Sequence, residues 1–302
     1  MIQPPYLQKG SKVALVSPAK TVSRESVLPA IDILKSWGLN IVIGKYAFAE
    51  HFQFAGTDRQ RTKDLQRMLD APEIEAIFCV RGGYGTTRII DNLDFTRFQQ
   101  YPKWVIGYSD ITALHLHIHT LGIQSVHATM PLLFTRDSEQ SIKSLKVALG
   151  LETAPTLNYS SLTIKRKGTA NGQLIGGNLS LLVSCIGTSS DVDTTGKILF
   201  LEDIDEYLYH IDRMMIQLKR AGKLRNLAGL IVGHFTAIKD NEKPFGKDVN
   251  EIIWDAVKEY TYPVCVGFPV GHEPENHALV CGKTVQLIAT AKQVSITLSA
   301  SL

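Results

Sequence analysis

Ser109 lies two residues beyond an apolar run ending in glycine, within Gly107-Tyr108-Ser109-Asp110, and directly before a stretch with helical spacing. A serine on so sharp a strand-to-helix turn is held exposed near the positive end of the helix, which suits a nucleophile. The backbone N–H of Asp110 can donate to an oxyanion developing on an attacked carbonyl. Locally the same residues fit a plainer use, with Ser109 or Asp110 capping the helix. Position 111 also holds Ile where a G-x-S-x-G elbow has glycine. A second concentration of chemistry is Arg81-Gly82-Gly83-Tyr84-Gly85-Thr86. Glycine there serves close backbone approach to a ligand or a positive φ. The loop reads as a phosphate cradle, as an oxyanion hole built from the Gly82 or Gly83 N–H, or as a bare turn.

A serine nucleophile needs a base, and the base an orienting acid. Among the nine histidines, His115 and His119 stand at i and i+4 with His117 between them. That spacing suits a metal, but no glutamate completes an H-E-x-x-H pattern, and packing or surface roles are the plainer reading. His51 lies in a loop after Tyr46, while His127, His210, His234 and His277 have no special context. His272 differs: Phe268-Pro269-Val270-Gly271-His272-Glu273-Pro274 is a Gly/Pro-framed loop, a rigid place for a functional imidazole. For the acid, Phe200-Leu201-Glu202-Asp203 is expected to end an apolar strand with two carboxylates at the rim of a sheet. A solvated strand end or a helix cap is the alternative there.

The elements that must position these residues alternate. Val13–Pro18, Leu39–Ile43, Ala76–Val80 and Trp104–Gly107 read as strands. Between and after them, Val27, Ile31 and Leu34 mark a helix that Gly38 ends. A capping box at Thr57-Asp58-Arg59-Gln60 opens another carrying Leu65, Met68 and Leu69, and Ile111–Leu121 reads as a third. Such alternation predicts a doubly wound, mostly parallel α/β sheet. Its two chemical loops then fall at the carboxyl ends of strands, where ligands bind. Polar sequence around 146–165 is read as a linker between a domain at 1–145 and a second at 166–302. In the second, strands are expected within Thr163–Ile175, Lys197–Leu201 and Leu230–Gly233, and a hairpin over Val285–Leu298. Helices are expected at Leu179–Ile186, Tyr207–Arg220 and Val249–Glu259.

Composition sets the outer limits. A chain of 302 residues with 44% hydrophobic and 20% charged residues can build large cores, and its formal charge of +3 shows no basic stripe for nucleic acid. Lys165-Arg166-Lys167 is the nearest cluster and reads as a solvated edge. The four cysteines sit singly among apolar neighbours, as reduced thiols of a cytoplasmic protein do. The N-terminus lacks a signal-peptide pattern, and no apolar run approaches the ~20 residues of a membrane span.

Taken together these segments resemble the serine LD-carboxypeptidase family, which includes muramoyl-tetrapeptide carboxypeptidases and microcin-immunity peptidases. The matching stretches run in order along nearly the whole chain. They are Val16-Ser17-Pro18-Ala19, Phe54-Ala55-Gly56-Thr57-Asp58 with Arg61, Asp64 and Leu65, Ala76 to Gly85, and Gly107-Tyr108-Ser109-Asp110. Gly176-Gly177-Asn178-Leu179, Leu201-Glu202-Asp203 and Gly271-His272 follow. The resemblance implies a Ser109–Glu202–His272 triad, with backbone oxyanion donors at Gly83 and Asp110. It implies a flavodoxin-like N-terminal domain supplying the serine and a smaller α/β C-terminal domain supplying acid and base. The site would form where the two meet, in a homodimer that needs no metal or cofactor. Arg81, Gly82, Tyr84 and Asn178 become the candidates for substrate contact, with Arg81 or Arg88 reading a terminal carboxylate. The implied reaction removes a terminal D-Ala from a muropeptide tetrapeptide during murein recycling. The microcin-immunity branch acts instead on peptidyl or aminoacyl nucleotides, stacking the base on an aromatic ring. No Trp lies near residues 175–200 to do so, which favours the murein branch. Two other classes remain as alternatives. One is a nucleotide-binding kinase, since the Gly82–Thr86 string resembles the Gly-Gly-Asp-Gly-Thr motif of NAD kinases, though with Tyr84 at the aspartate. The other is a non-catalytic module that binds cell-wall fragments.

Overall fold

Lys12–Val16 is buried from its second residue onward, as a strand covered on both faces must be. It is the first of fourteen strands in a computed structural model that describes residues 1–153, 157–159, 162–290 and 294–298. In chain order the first stretch holds β1 (Lys12–Val16), α1 (Leu28–Ser36), β2 (Asn40–Ile43), α2 (Asp58–Asp70), β3 (Ala76–Cys79) and α3 (Thr96–Gln100). β4 (Trp104–Gly107), α4 (Thr112–Thr120), β5 (Ser125–His127) and α5 (Glu139–Ala148) complete it. Then come β6 (Leu157–Tyr159), β7 (Thr163–Arg166), β8 (Gly168–Asn178), α6 (Leu179–Ser184), β9 (Ile198–Ile204) and α7 (Leu208–Arg220). They are followed by β10 (Gly229–Thr236), α8 (Val249–Val257), β11 (Val264–Val266), β12 (Leu279–Cys281), β13 (Thr284–Ala289) and β14 (Val294–Leu298).

The chain divides into two compact units. One comprises Met1–Thr153 with Pro274–Cys281, the other Ala154–Glu273 with Gly282–Leu302. The first holds a sheet ordered β12-β5-β4-β3-β1-β2, parallel throughout except for antiparallel β12. Its parallel part runs 2-1-3-4-5, the flavodoxin-like order, with a topological switch between β1 and β3. Apolar side chains alternate across this sheet into two cores. Val13, Leu15, Phe78 and Ile106 enter one, and Ala14, Val16, Ile77 and Val105 the other. The second unit holds an eight-stranded mixed sheet ordered β6-β14-β13-β8-β9-β10-β11-β7, whose centre, β8 to β11, is parallel.

Local signals translate well into structure. Thr57 caps α2 reciprocally: its hydroxyl accepts from the Gln60 N–H at 3.3 Å, and Gln60 Oε1 accepts from the Thr57 N–H at 2.8 Å. The hairpin expected over Val285–Leu298 forms as β13 and β14, with Val285 opposite Leu298. Residues 291–293 between them lie outside the described residues. So do 154–156 and 160–161 of the stretch read as a linker. The described part of that stretch carries the end of α5 and strands β6 and β7. β5 and β12 are among the strands that carried no usable signal. Each has three residues, and they pair with each other from positions far apart in the chain.

Candidate active site

β4 ends at Gly107, and the chain turns through extended Tyr108 into Ser109 at φ 63°. A non-glycine residue in this left-handed region pays roughly 1–2 kcal/mol, a cost associated with residues that must be aimed. Ser109 then opens a single 3-10 turn, Ser109–Ile111, that leads into α4. No side chain caps either helical start, so the capping role open to Ser109 and Asp110 is not the one they take. The first hydrogen bond of the turn runs from the Ile111 N–H to Tyr108 O, which leaves the Ser109 and Asp110 N–H groups ahead of the helical ladder. Behind the turn, fully buried His115 holds the end of β4. Its Nε2 lies 2.8 Å from Gly107 O and its Nδ1 2.9 Å from Ser125 Oγ. A carbonyl can only accept, so Nε2 carries the proton and Nδ1 accepts from the serine hydroxyl. Burial pushes this imidazole down to about 4. His115 is thus a neutral strut with both nitrogens engaged, not half of a metal site with His119.

The glycine loop after β3 packs directly on this turn. A Cβ on Gly82 would stand 3.1 Å from Ser109 Cβ and 3.4 Å from Asp110 N, so any side chain there would press the two loops apart. Gly83, beside it, is exposed. Arg61, 1% exposed, holds the far end of the loop. Its Nη1 donates to Gly85 O at 2.9 Å and Pro18 O at 2.5 Å, its Nη2 pairs with Asp58, and its guanidinium lies 4.7 Å from the Phe54 ring centre. Arg81 gives one N–H to Thr21 O at 2.9 Å and pairs with no carboxylate among the described residues. Arg88 is committed elsewhere, forking onto Asp58 with contacts of 2.7 and 3.1 Å. Of the two arginines proposed to read a carboxylate, Arg81 is therefore the one available. Tyr84 is exposed and its ring centre lies 6.0 Å from that of Phe54.

In the second unit β9 runs three residues further than its apolar stretch suggests, to Ile204. Glu202 and Asp203 are consequently inside the strand, at 0% and 1% exposure, rather than at a solvated rim. The ladder continues because Asn178 of β8 pairs with Glu202, and Phe235 of β10 with Asp203. Glu202 Oε2 lies 2.7 Å from His272 Nδ1. Gly271, at φ 129°, makes that approach possible, since a Cβ there would sit 3.1 Å from Glu202 Cβ. Of the two acids it is Glu202 that meets His272. Asp203 turns to the opposite task, accepting from Asn178 Nδ2 at 2.8 Å, the Ser180 N–H at 2.9 Å and the Ile204 N–H at 2.8 Å. Asn178, expected to contact substrate, is 3% exposed and caps α6, its Oδ1 taking the Leu181 N–H and the Ser180 hydroxyl.

Burial, reinforced by the neighbouring Glu202 charge, pushes the Asp203 carboxyl up to about 7. An unfolded aspartate titrates near 4, so between those values the folded chain holds the extra proton. The stability contributed by Asp203 is complete below pH ~4 and lost as pH rises through about 7. Thermal unfolding of wild type against Asp203→Asn should show this fall only in wild type. Equal pH slopes over that window would refute it.

Arg61 and His115 were within reach of a stricter reading. Arg61 shares the i, i+4, i+7 face of Leu65 and Met68, all buried in α2, so periodicity alone puts its charge in the core. His115 falls among Leu114, Leu116 and Ile118 on a helix buried at six of its nine positions. The positive φ of Ser109 had no signal, because serine does not announce it.

A doubly wound sheet that ends a strand in a serine at positive φ, and a second sheet carrying a buried Glu–His pair, are the parts of a serine hydrolase. Family models match both halves of the chain: the LD-carboxypeptidase N-terminal domain over residues 13–128 and the LD-carboxypeptidase C-terminal domain over residues 171–287. A probable murein peptide carboxypeptidase of Bacillus subtilis is 36% identical over 97% of this chain and 94% of its own. The crystal structure of a muramoyltetrapeptide carboxypeptidase from Oxalobacter formigenes superposes with a TM-score of 0.85. It is 27% identical and covers 96% of this chain and 99% of that one. The microcin C7 self-immunity protein of Escherichia coli is 24% identical over 93% of this chain and 90% of its own. The chain belongs to the LD-carboxypeptidase family, and it is a serine carboxypeptidase.

Proposed function

We propose that the chain removes the terminal D-Ala from murein tetrapeptides, with Ser109 as nucleophile, His272 as general base and acid, and Glu202 as its orienting partner. The observation that carries the catalytic reading is the 2.7 Å contact between His272 Nδ1 and fully buried Glu202. A carboxylate there holds the proton on Nδ1, leaving Nε2 to accept one from a serine. Ser109 Oγ attacks the carbonyl of the amide that joins an L-configured centre to D-Ala. Its proton passes to His272 and then to the departing amine, giving an acyl-enzyme that water hydrolyses by the same route. The N–H groups of Gly83 and Asp110 receive the oxyanion, each donor of this type being worth roughly 10²–10³ in rate. Arg81 pairs with the substrate's free carboxylate, and Tyr84 borders that subsite.

The substrate class follows the similarity to proteins named for murein peptides. On this reading the enzyme works in the cytoplasm, as a homodimer, where released wall peptides are trimmed. Residues 186–197, which follow α6, contain no aromatic side chain to stack a nucleobase. Incubation with disaccharide-tetrapeptide should release D-Ala and leave the tripeptide, both resolved by mass spectrometry. Absence of release, or faster cleavage of an aminoacyl sulfamoyl nucleoside, would overturn the murein reading.

A further inference from the structure

We propose that the Asp110 side chain is a positioning residue for acyl transfer, tying the turn that carries Ser109 to the loop that carries Gly82 and Gly83. The inference rests on Ser109 being the nucleophile. Oxyanion donors work only when both point at one place, and here they come from loops after two different strands, β3 and β4. Asp110 joins those loops. Its Oδ2 accepts from the Thr86 N–H at 2.8 Å, and the neighbouring Gly85 N–H also favours its carboxylate. The other side of the same segment is fixed by Arg61, which donates to Gly85 O. The loop is thus gripped at a carbonyl by Arg61 and at an amide by Asp110, while Gly82 rests on Ser109.

The carboxylate does nothing for its own helix, since neither the 3-10 turn nor α4 has a side-chain cap. It is 1% exposed, and it is held there by hydrogen bonds from the Thr86 and Gly85 segment rather than by solvent. Burying an acid in this way is a costly means of pinning a loop, and an apolar contact would serve stability alone. What the acid supplies is a directed bond from the residue whose own N–H faces the reacting carbonyl.

The test compares wild type, Asp110→Ala and Asp110→Asn for kcat, KM and unfolding midpoint, with D-Ala release as the assay. Alanine removes the acceptor, and kcat should fall roughly 10²–10³-fold while KM stays within about three-fold. Asparagine keeps an oxygen for the Thr86 N–H and should recover kcat to within about ten-fold of wild type. Should the alanine variant not fold, Asp110→Ser, too short to reach Thr86, carries the same expectation. An alanine or serine variant with near-wild-type kcat overturns the proposal, as does an asparagine variant no better than alanine, or a loss expressed in KM. Ser109→Ala separates the two claims. Activity in that variant defeats the nucleophile and this inference together, whereas an inactive Ser109→Ala beside a fully active Asp110→Ala defeats only the positioning role.

Discussion

Ser109→Ala is expected to lower kcat for D-Ala release by roughly 10⁴–10⁶-fold, the scale of loss when a triad nucleophile is removed. Binding of the tetrapeptide should persist, because the remaining contacts do not involve the hydroxyl. Ser109→Gly should be equally inactive yet more stable than the alanine variant by about 1 kcal/mol, since glycine alone occupies φ 63° without strain. For units of this size that difference raises the unfolding midpoint by about 2–4 °C. A serine whose removal costs all activity while its replacement by glycine relaxes the fold is held in place for chemistry. The idea fails if either variant turns over at more than a hundredth of the wild-type rate.

Much of the first unit was legible because its signals are local. β1, β3 and β4 are apolar runs closed by turn residues, and α2 announces itself through the Thr57–Gln60 box. Each needs only neighbours within a few positions to be recognised, and the alternation predicts a parallel sheet, while its flavodoxin-like strand order was implied only by the family resemblance. The two chemical loops then land at carboxyl ends without further information. The return of Pro274–Cys281 to that unit is of another kind. Its strand β12 owes its existence to β5, with Leu279 opposite His127 and Cys281 opposite Ser125. Three residues carry no periodicity, and the pairing partner lies far upstream.

The second unit shows why buried charge hides from a sequence. Hydrophobic patterning ends β9 at Leu201, yet the strand continues through two carboxylates. They are tolerated because Asn178, Ser180 and His272 arrive from elsewhere in the chain to bond them. Partners of that separation cannot be read from spacing. Family resemblance supplied Glu202 and His272 as a pair, but not the division of labour between the acids. The geometry separates them, with Glu202 turned to the imidazole and Asp203 to the cap of α6.

That division makes Glu202→Gln the more discriminating of the large-effect variants. The side chain keeps its shape at a fully buried position, so losses report on charge and hydrogen-bond polarity. If the amide NH₂ faces His272, Nδ1 must become the acceptor and Nε2 carries the proton, the wrong tautomer for taking one from Ser109. If the oxygen faces it, the tautomer survives but nothing stabilises the imidazolium. Either way kcat should fall by about 10⁴-fold, as it does when a triad carboxylate becomes an amide, with KM little changed. A second readout follows from the neighbouring acid. Part of what raises Asp203 is the Glu202 charge, so in Glu202→Gln the fall of stability with pH should move to lower pH. Wild-type kcat in this variant would remove Glu202 from the mechanism. An unmoved stability profile would instead show that burial alone raises Asp203. The two measurements test one carboxylate in its two directions, toward His272 and toward Asp203, and only an acid placed between them changes both.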